Sequence, residues 1–177
     1  MTKTKKEVVI NIHQLTINEY DDHLFVNETS GTVRIKLNGW EKRVIAEEQK
    51  RADFRCWYRN PSRSKDALTL YHVYKGTPKP FYPDFLIVRR ENGEYVLDIL
   101  EPHNDAFDDN VSKAKALAQY AAEHPALGRV QLIRQYKTTT GESLKRLDFA
   151  RSSELRQRVI TITQPDELDN LFSRYGK

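Results

Sequence analysis

The sequence predicts an α/β domain in which helices flank a mixed β-sheet. Two patterns indicate this fold: strand-like and helix-like segments succeed one another along the chain, and Asn92-Gly93 separates two apolar runs. The 177 residues correspond to one ordinary domain, without repeats or a Gly/Ser-rich linker. We expect residues 1–37 to form a β-rich extension packed on an α/β domain at residues 38–177.

The composition excludes several classes of protein. Apolar residues make up 38% and charged residues 31%, which is typical of a globular chain rather than a disordered one. The sequence has neither the roughly 18-residue apolar run of a membrane span nor the apolar stretch of a secretory signal. A single cysteine, Cys56, fits a reducing cytoplasm and, with only five histidines, argues against a structural zinc site. The net charge of +4 permits a polyanionic partner.

Strands are predicted from apolar alternation between turn residues. They lie at 7–12, 23–26, 32–37, 67–74, 85–90, 95–103, 129–137, 145–150 and 158–163. Helices are predicted at 39–53, 109–123 and 165–172. The segment 59–66 is predicted as a loop, and the proline-rich segment 75–83 as an irregular entry into the strand at 85–90.

The first helix is predicted to begin after Asn38, which is a favourable N-cap residue. Four of its residues share one face by helical spacing: Glu41, Ile45, Glu48 and Ala52. Because two of them are apolar, at least one of the two glutamates turns toward the core. A carboxylate from this helix, either Glu41 or Glu48, could therefore support a site on the neighbouring strands.

The Asn92-Gly93 turn determines which residues of the next two strands face each other. A two-residue hairpin turn needs positive φ at both positions, which Asn and Gly accept. Counting outward from it places Asp84 opposite Glu101, and opposed residues hold their Cβ atoms about 4.5–5.5 Å apart. Two carboxylates so placed repel each other unless a proton or a cation lies between them.

The side chains around this acidic pair indicate a site at the border of an apolar layer. Because side chains alternate along a strand, His103 lies on the same face as Glu101. The rest of that face is apolar: Leu86, Val88, Leu97 and Ile99. Asp98 opposes Ile87 on the other face, so without a bulge it cannot share a ligand with Asp84.

The chemistry that suits Asp84, Glu101 and His103 is metal-dependent phosphodiester hydrolysis. Carboxylate oxygens bind Mg²⁺ or Mn²⁺, which activates water and neutralises charge developing on a phosphate. His103 could bring a positive charge to the phosphate, steer the water or bind the metal. Each residue also has an ordinary alternative, because paired acids at strand ends are mostly solvated and His103 follows Pro102 as a loop histidine would.

The ordered set of motifs resembles the PD-(D/E)XK nuclease superfamily. Pro83-Asp84 followed after a hairpin by Glu101-Pro102-His103 carries the general likeness. A narrower likeness is to the C-terminal endonuclease domains of type III restriction enzymes and related helicase-linked proteins, over roughly residues 40–135. It rests on four further segments: Trp40-Glu41, Trp57-Tyr58-Arg59-Asn60, Tyr82-Pro83-Asp84-Phe85, and Asp109-Asn110 leading to Lys113-Ala114-Lys115.

The resemblance implies a restriction-endonuclease-like mixed sheet flanked by helices, with Asp84 and Glu101 as ligands of Mg²⁺ or Mn²⁺ and Glu41 in support. It implies cleavage of DNA in a restriction or phage-defence role, together with a helicase or ATPase motor in the same or another chain. The resemblance leaves the oligomeric state open, with a homodimer among the options. His103 stands where the family usually places lysine, a permanent cation near neutral pH.

Two other functions remain open at this point. A decayed nuclease fold would bind nucleic acid or a partner protein without metal, through a basic set of four: Arg59, Arg63, Lys113 and Lys115. An unrelated α/β scaffold would carry the acids only as surface groups.

Overall fold

A five-stranded mixed sheet forms the centre of the protein. The computed structural model describes residues 18–104, 108–139 and 141–177. Strands in these residues are β1 (Asn18–Tyr20), β2 (Val33–Ile35), β3 (Phe54–Arg59), β4 (Leu70–Tyr74), β5 (Thr77–Phe81), β6 (Phe85–Glu91), β7 (Glu94–Pro102), β8 (Val130–Thr138) and β9 (Gly141–Asp148). Helices are α1 (Gly39–Gln49), α2 (Asn110–Glu123), α3 (Ser153–Thr161) and α4 (Pro165–Tyr175). The order in the main sheet is β3-β6-β7-β8-β9.

The predicted α/β class and mixed sheet are confirmed. β7 and β8 run parallel, and the other neighbouring pairs run antiparallel. Asn92 and Gly93 have φ of 52° and 89°, so the predicted two-residue turn forms. The register runs from Glu91 opposite Glu94 to Phe85 opposite Leu100, as counted from the sequence.

Helices cover both faces of the sheet, each over its own apolar core. Ile99 belongs to the core beneath α2, α3 and α4, which also contains Leu117 and Phe172. The next residue, Leu100, belongs to the core beneath α1, together with Ile45. Since consecutive strand residues point to opposite faces, the two cores lie on opposite sides of β7. None of the helices in the described ranges is both long and apolar enough to cross a membrane.

The first helix begins where the sequence predicts. The Asn38 side chain accepts hydrogen bonds from the backbone N–H groups of Trp40 and Glu41, and the Glu41 carboxylate accepts one from the backbone N–H of Asn38. This capping box fixes the start of α1. The helix ends at Gln49 rather than Asp53, and Ala52 is exposed beyond it. Glu41, Ile45 and Glu48 are buried as the helical spacing predicts.

The N-terminal strand predictions are met only in part. Residues 7–12 lie outside the described residues. Residues 23–26 do not form the predicted strand; they bend, with one bridge between His23 and Trp57. β1 and β2 pair as a separate two-stranded sheet, and Tyr20 and Ile35 pack against the core beneath α1.

The strand predicted at 158–163 is wrong, because this segment lies largely within α3. Its β-branched residues favour a strand locally. Ser152, however, caps a helix by accepting the backbone N–H of Leu155 at 3.1 Å. Leu155 and Val159 then lie one turn apart and are both buried against the core. The helical spacing of buried apolar residues starts at Leu155, before the predicted strand, and its packing against the core outweighs the local strand propensity.

The segment 75–83 is also more regular than predicted, because its first half completes a hairpin of β4 and β5. Lys75 and Gly76 form the turn, with φ of 51° and 76°. Pro78 and Pro80 oppose Val73 and Tyr71. In a two-residue hairpin these are the pairs without mutual backbone hydrogen bonds, so the missing proline N–H groups cost the pairing nothing.

A buried ion network joins the main sheet to α1. Asp98 is fully buried, and its carboxylate accepts hydrogen bonds from Arg89 at 2.5 Å and from Arg129 at 2.6 Å. Arg129 continues to Glu48 of α1 at 2.5 Å, and Glu48 also binds Arg146 of β9 at 2.8 Å. The network thus pairs buried charges contributed by four elements, β6, β7, α1 and β9, with each other and with Arg129.

We predict that Asp98→Asn lowers the free energy of unfolding by about 3–5 kcal/mol. The change removes the negative charge that Arg89 and Arg129 share, and both arginines remain buried. Urea denaturation at neutral pH measures the loss. Glu94→Gln, an exposed change on the same strand, is the matched control and should stay within about 0.5 kcal/mol of the wild type. Equal stability of the two variants would contradict the structural role of Asp98.

Candidate functional site

Asp84 and Glu101 meet at the open end of the β6–β7 hairpin. Asp84 directly precedes β6, and Glu101 is the penultimate residue of β7. The backbone N–H of Asp84 donates to Glu101 Oε2 at 2.9 Å. The structure thus brings together the two acids that the register predicts, one position beyond the pair Phe85 and Leu100.

Both carboxyl groups resist ionisation. Burial raises the pKa of Glu101 well above its ordinary value, and the neighbouring charge of Asp84 raises it further. Burial likewise raises the pKa of Asp84 to about 6, although Arg59 opposes the shift. The pair therefore holds protons more tightly than solvated acids do, and a cation between them would relieve both burial and repulsion.

Arg59, expected on the phosphate-binding surface, lies instead inside this acidic site. Its guanidinium is 2.8 Å from Glu41 Oε1 and 3.0 Å from Asp84 Oδ1. The Nη1 contact with Glu41 falls short of hydrogen-bond alignment, so it is an ion pair. Glu41 Oε2 accepts the backbone N–H of Asn38 at 2.8 Å. Glu41 is thus linked to Asp84 through Arg59 rather than by sharing a ligand.

Of Glu41 and Glu48, the two glutamates on the predicted core-facing stripe of α1, only Glu41 lies near Asp84. Glu48 is two turns further along and belongs to the buried network with Arg129 and Arg146. Of the two candidates for a supporting carboxylate, Glu41 is therefore the one that lies beside the acidic pair, and its role in binding a metal stays a prediction.

His103 is buried, and the partners of its two ring nitrogens favour the neutral imidazole. Its Nδ1 lies 3.1 Å from the carbonyl oxygen of Ile133, and Arg134 donates to its Nε2 at 3.3 Å. Nδ1 therefore carries the proton and donates to Ile133, since Nε2 accepts. Burial, assisted by the Arg134 charge, lowers the pKa of His103 to about 3. Positive charge at this position belongs to Arg134, whose Nη1 also pairs with Asp169.

A cavity of about 330 Å³ opens over these groups. Eight residues line it: Asn38, Trp40, Asp84, Glu101, Pro102, His103, Asn104 and Lys113. Lys113 comes from the first turn of α2, pairs with Asp109 at 3.1 Å and lowers the pKa of both site carboxyls. The sequence suggested Lys113 for phosphate contact, but not that it would share a cavity with the acidic pair.

The other predicted phosphate-binding residues lie apart from this cavity. Arg63 is exposed in the loop after β3, with φ of 60°. Lys115 interacts electrostatically with Glu167 of α4. Within residues 18–104, 108–139 and 141–177, no three His, Cys, Asp or Glu side chains converge into a metal site by themselves.

Arg134 is a candidate functional residue that the sequence analysis missed. It is buried, stacks over Phe172 at 4.5 Å and reaches the ring of His103. The only signal for it was the arginine within an apolar strand, since a charged residue there must find a partner.

Residues 21–177 match the YagJ family. The chain is also 33% identical over 153 residues to Protein YagJ of Escherichia coli (strain K12). That alignment covers 85% of this chain and 59% of the relative, so the chain spans about three-fifths of the relative's length. No solved structure matches the chain. The family match covers nearly all of the described fold and the whole candidate site, and the chain therefore belongs to the YagJ family.

Proposed function

We propose that the protein is a Mg²⁺- or Mn²⁺-dependent endonuclease that hydrolyses phosphodiester bonds in DNA. One observation carries the proposal: Asp84 and Glu101 adjoin in a cavity with raised carboxyl pKa values and with Lys113 in the same wall. Paired buried acids beside a cation are costly for stability, and such costs concentrate at sites of binding or catalysis.

The two carboxylates fit a hard divalent cation. Mg²⁺ in phosphoryl chemistry is commonly held by one or two carboxylates, with water and substrate phosphate completing its shell. Asp84 and Glu101 would hold it, so a third protein ligand is not required. The Glu101 oxygen that accepts the Asp84 N–H is Oε2, which leaves Oε1 for a ligand. The metal would supply an activated water and charge neutralisation.

The remaining residues of the cavity have distinct roles in this proposal. Lys113 supplies the permanent cation that PD-(D/E)XK enzymes take from the strand position held here by His103. Neutral His103 positions the guanidinium of Arg134, because Nε2 accepts its N–H. Arg59 holds Asp84 and Glu41 in place through its two ion pairs.

A second function is favoured by one specific observation. Arg59 already lies between Glu41 and Asp84, where it neutralises part of the charge that a metal would otherwise balance. In a decayed site this arginine replaces the metal, and the protein binds nucleic acid or a partner without cleaving it. Metal binding separates the two functions.

The setting of the activity follows from the same resemblance. We propose a restriction or phage-defence role in the cytoplasm, with a helicase or ATPase motor in the same or another chain. Because the chain spans 59% of its E. coli relative, the activity and partners of the whole protein belong to this proposal.

We predict that Mn²⁺ binds the wild-type protein at neutral pH, and that Asp84→Asn and Glu101→Gln each weaken binding at least tenfold. Either change removes a charged oxygen ligand from the cavity. Isothermal titration calorimetry gives the affinities. The matched control is Glu94→Gln, since Glu94 opposes Glu91 across the same hairpin but is exposed. Wild type that binds no Mn²⁺ would reject the nuclease and favour the decayed module.

We predict that Asp84→Asn stabilises the metal-free protein at pH 7. A carboxyl whose folded pKa of about 6 exceeds its ordinary 3.8 gives full stability below pH 4, and loses it as pH rises through 6. The amide introduced at position 84 cannot ionise and avoids that loss. Thermal unfolding should therefore show a free energy of unfolding about 1–2 kcal/mol higher than that of the wild type at pH 7, and no difference near pH 4. Destabilisation at both pH values would indicate that Asp84 is a structural partner of Arg59.

We predict that Lys113→Ala lowers the cleavage rate at saturating Mn²⁺ about 100-fold, whereas Lys115→Ala changes it less than threefold. Lys113 lines the cavity and Lys115, on the same helix, faces α4. A charged transition-state contact is worth about 2.7–4 kcal/mol. Plasmid nicking at several Mn²⁺ concentrations separates this effect from metal affinity. Equal rates for both variants would remove Lys113 from the reaction.

We predict that His103→Lys does not raise activity at any pH. A lysine there would bury a second cation beside Arg134, whereas His103→Gln can still donate to Ile133 and accept from Arg134. The glutamine variant should keep its fold and more activity than the lysine variant. Rescue of activity at high pH by lysine would show instead that His103 acts through positive charge.

A further inference from the structure

The hairpin of β4 and β5 leads directly into the proposed site. Phe81 ends β5, and Asp84 follows three residues later. The inner face of the hairpin is anchored on α2: Leu70, His72 and Phe81 are buried, and His72 Nδ1 lies 2.6 Å from Ser112 Oγ. The hairpin is therefore held in a fixed position beside the cavity.

The outer face of this hairpin is apolar and exposed. Tyr71 is 70% exposed and Val73 is 63% exposed. Pro80 and Pro78 oppose them directly, and all four side chains share one face. An exposed tyrosine ring over a flat apolar surface resembles a platform on which planar groups stack.

The hairpin also carries positive charge without acids of its own. Residues 67–83 contain no Asp or Glu. Lys75 and Lys79 are exposed, and their ammonium groups lie 4.9 and 4.6 Å from the ring centroid of Tyr74. At the other end, Lys113 lies 5.5 Å from the ring centroid of Phe81. Cations thus accompany the hairpin from the cavity to its tip; Asp109 pairs with Lys113, and Asp108 interacts electrostatically with Lys75.

Lys75 occupies a backbone conformation that lysine rarely adopts. Its φ is 51°, where Asn or Gly is accommodated with less strain. Asn92 fills the corresponding place in the β6–β7 turn with φ of 52°. A lysine kept at such a position favours a role for its charge over a role in the turn.

The outer edge of β5 is unsuited to another strand. Pro78 and Pro80 lack the N–H groups that would point outward from β4. A protein partner that adds a strand is therefore disfavoured, whereas a ligand with stackable faces and negative charge meets both features of the hairpin. Unpaired nucleotides have exposed base faces, while the bases of a duplex are stacked on one another.

We propose that the β4–β5 hairpin binds single-stranded nucleic acid, with a base on Tyr71 and a phosphate near Lys75 at the turn, and guides it to the Asp84–Glu101 cavity. The substrate class of the proposed endonuclease is then DNA with a single-stranded segment at the cut, so this inference rests on the proposed function. Binding itself needs no metal.

The test uses the full chain and fluorescence anisotropy with a labelled oligothymidylate and a duplex of equal length, in EDTA. Tyr71→Ala should weaken single-strand binding about 5- to 100-fold, and Tyr71→Phe should retain it. Tyr95→Ala is the matched control, because Tyr95 is 72% exposed near the far turn of β6–β7. Tighter binding to duplex, or equal losses for Tyr71→Ala and Tyr95→Ala, would overturn the proposal.

Lys75→Asn separates binding from turn formation. It should leave thermal stability unchanged or higher, yet lower the slope of log affinity against log salt by about 0.7 for single strands. Lys50→Asn, at the exposed end of α1, should leave the slope unchanged. An unaltered slope with Lys75→Asn would overturn the role of Lys75.

The two proposals can fail separately. Tyr71-dependent binding in a protein that binds no Mn²⁺ would support the hairpin and reject the endonuclease. Mn²⁺-dependent cleavage of intact duplex, insensitive to Tyr71→Ala, would support the endonuclease and reject the hairpin.

Discussion

The register of the β6–β7 hairpin is the constraint on which the fold and the site both depend. A two-residue turn at Asn92-Gly93 permits only one pairing of the arms, and side chains alternate strictly along each arm. Glu101 is thereby assigned to the face beside α2 and Asp98 to the opposite face. A slip by one residue would turn each of them to the other face, so that Asp98 would lose its arginine partners and Glu101 would leave the cavity.

Asp98 and Glu101 are both buried carboxyl groups, but their hydrogen-bond partners differ. Asp98 has guanidinium partners that satisfy both of its oxygens, so its burial is compatible with a stable fold. Glu101 is also buried, but its carboxyl accepts one backbone N–H, and the charged groups around it include another acid, Asp84. The difference in partners, not in burial, distinguishes a structural acid from a candidate binding group.

The sequence was most informative where local chemistry determines geometry alone. The Asn92-Gly93 turn and the Asn38 cap each need only a few neighbouring residues, and both are confirmed. The helix at Ser153–Thr161 was missed because its apolar period depends on burial against distant elements. The Lys75-Gly76 turn was missed because lysine is a rare residue at positive φ.

The candidate site likewise contains residues whose placement follows from local sequence and residues whose placement depends on tertiary packing. Asp84 and Glu101 belong to one hairpin, so their proximity could be predicted by counting. Arg134 and the position of Arg59 between two acids depend on how β3, β8 and α1 approach that hairpin. The lowered pKa of His103 follows from burial and the Arg134 charge, neither of which is visible in the local sequence.

Helix α1 connects the two charged regions of the protein as a rigid spacer. Glu41 meets Arg59 beside the cavity, and Glu48 meets Arg129 and Arg146 in the buried network. Glu48 lies seven positions after Glu41, or about 10 Å along the helix axis. Any displacement of the helix along or around that axis strains both ends together. The position of Arg59 beside the acids therefore depends partly on the ion pairs that hold the other end of α1 to Arg129 and to Arg146 of β9.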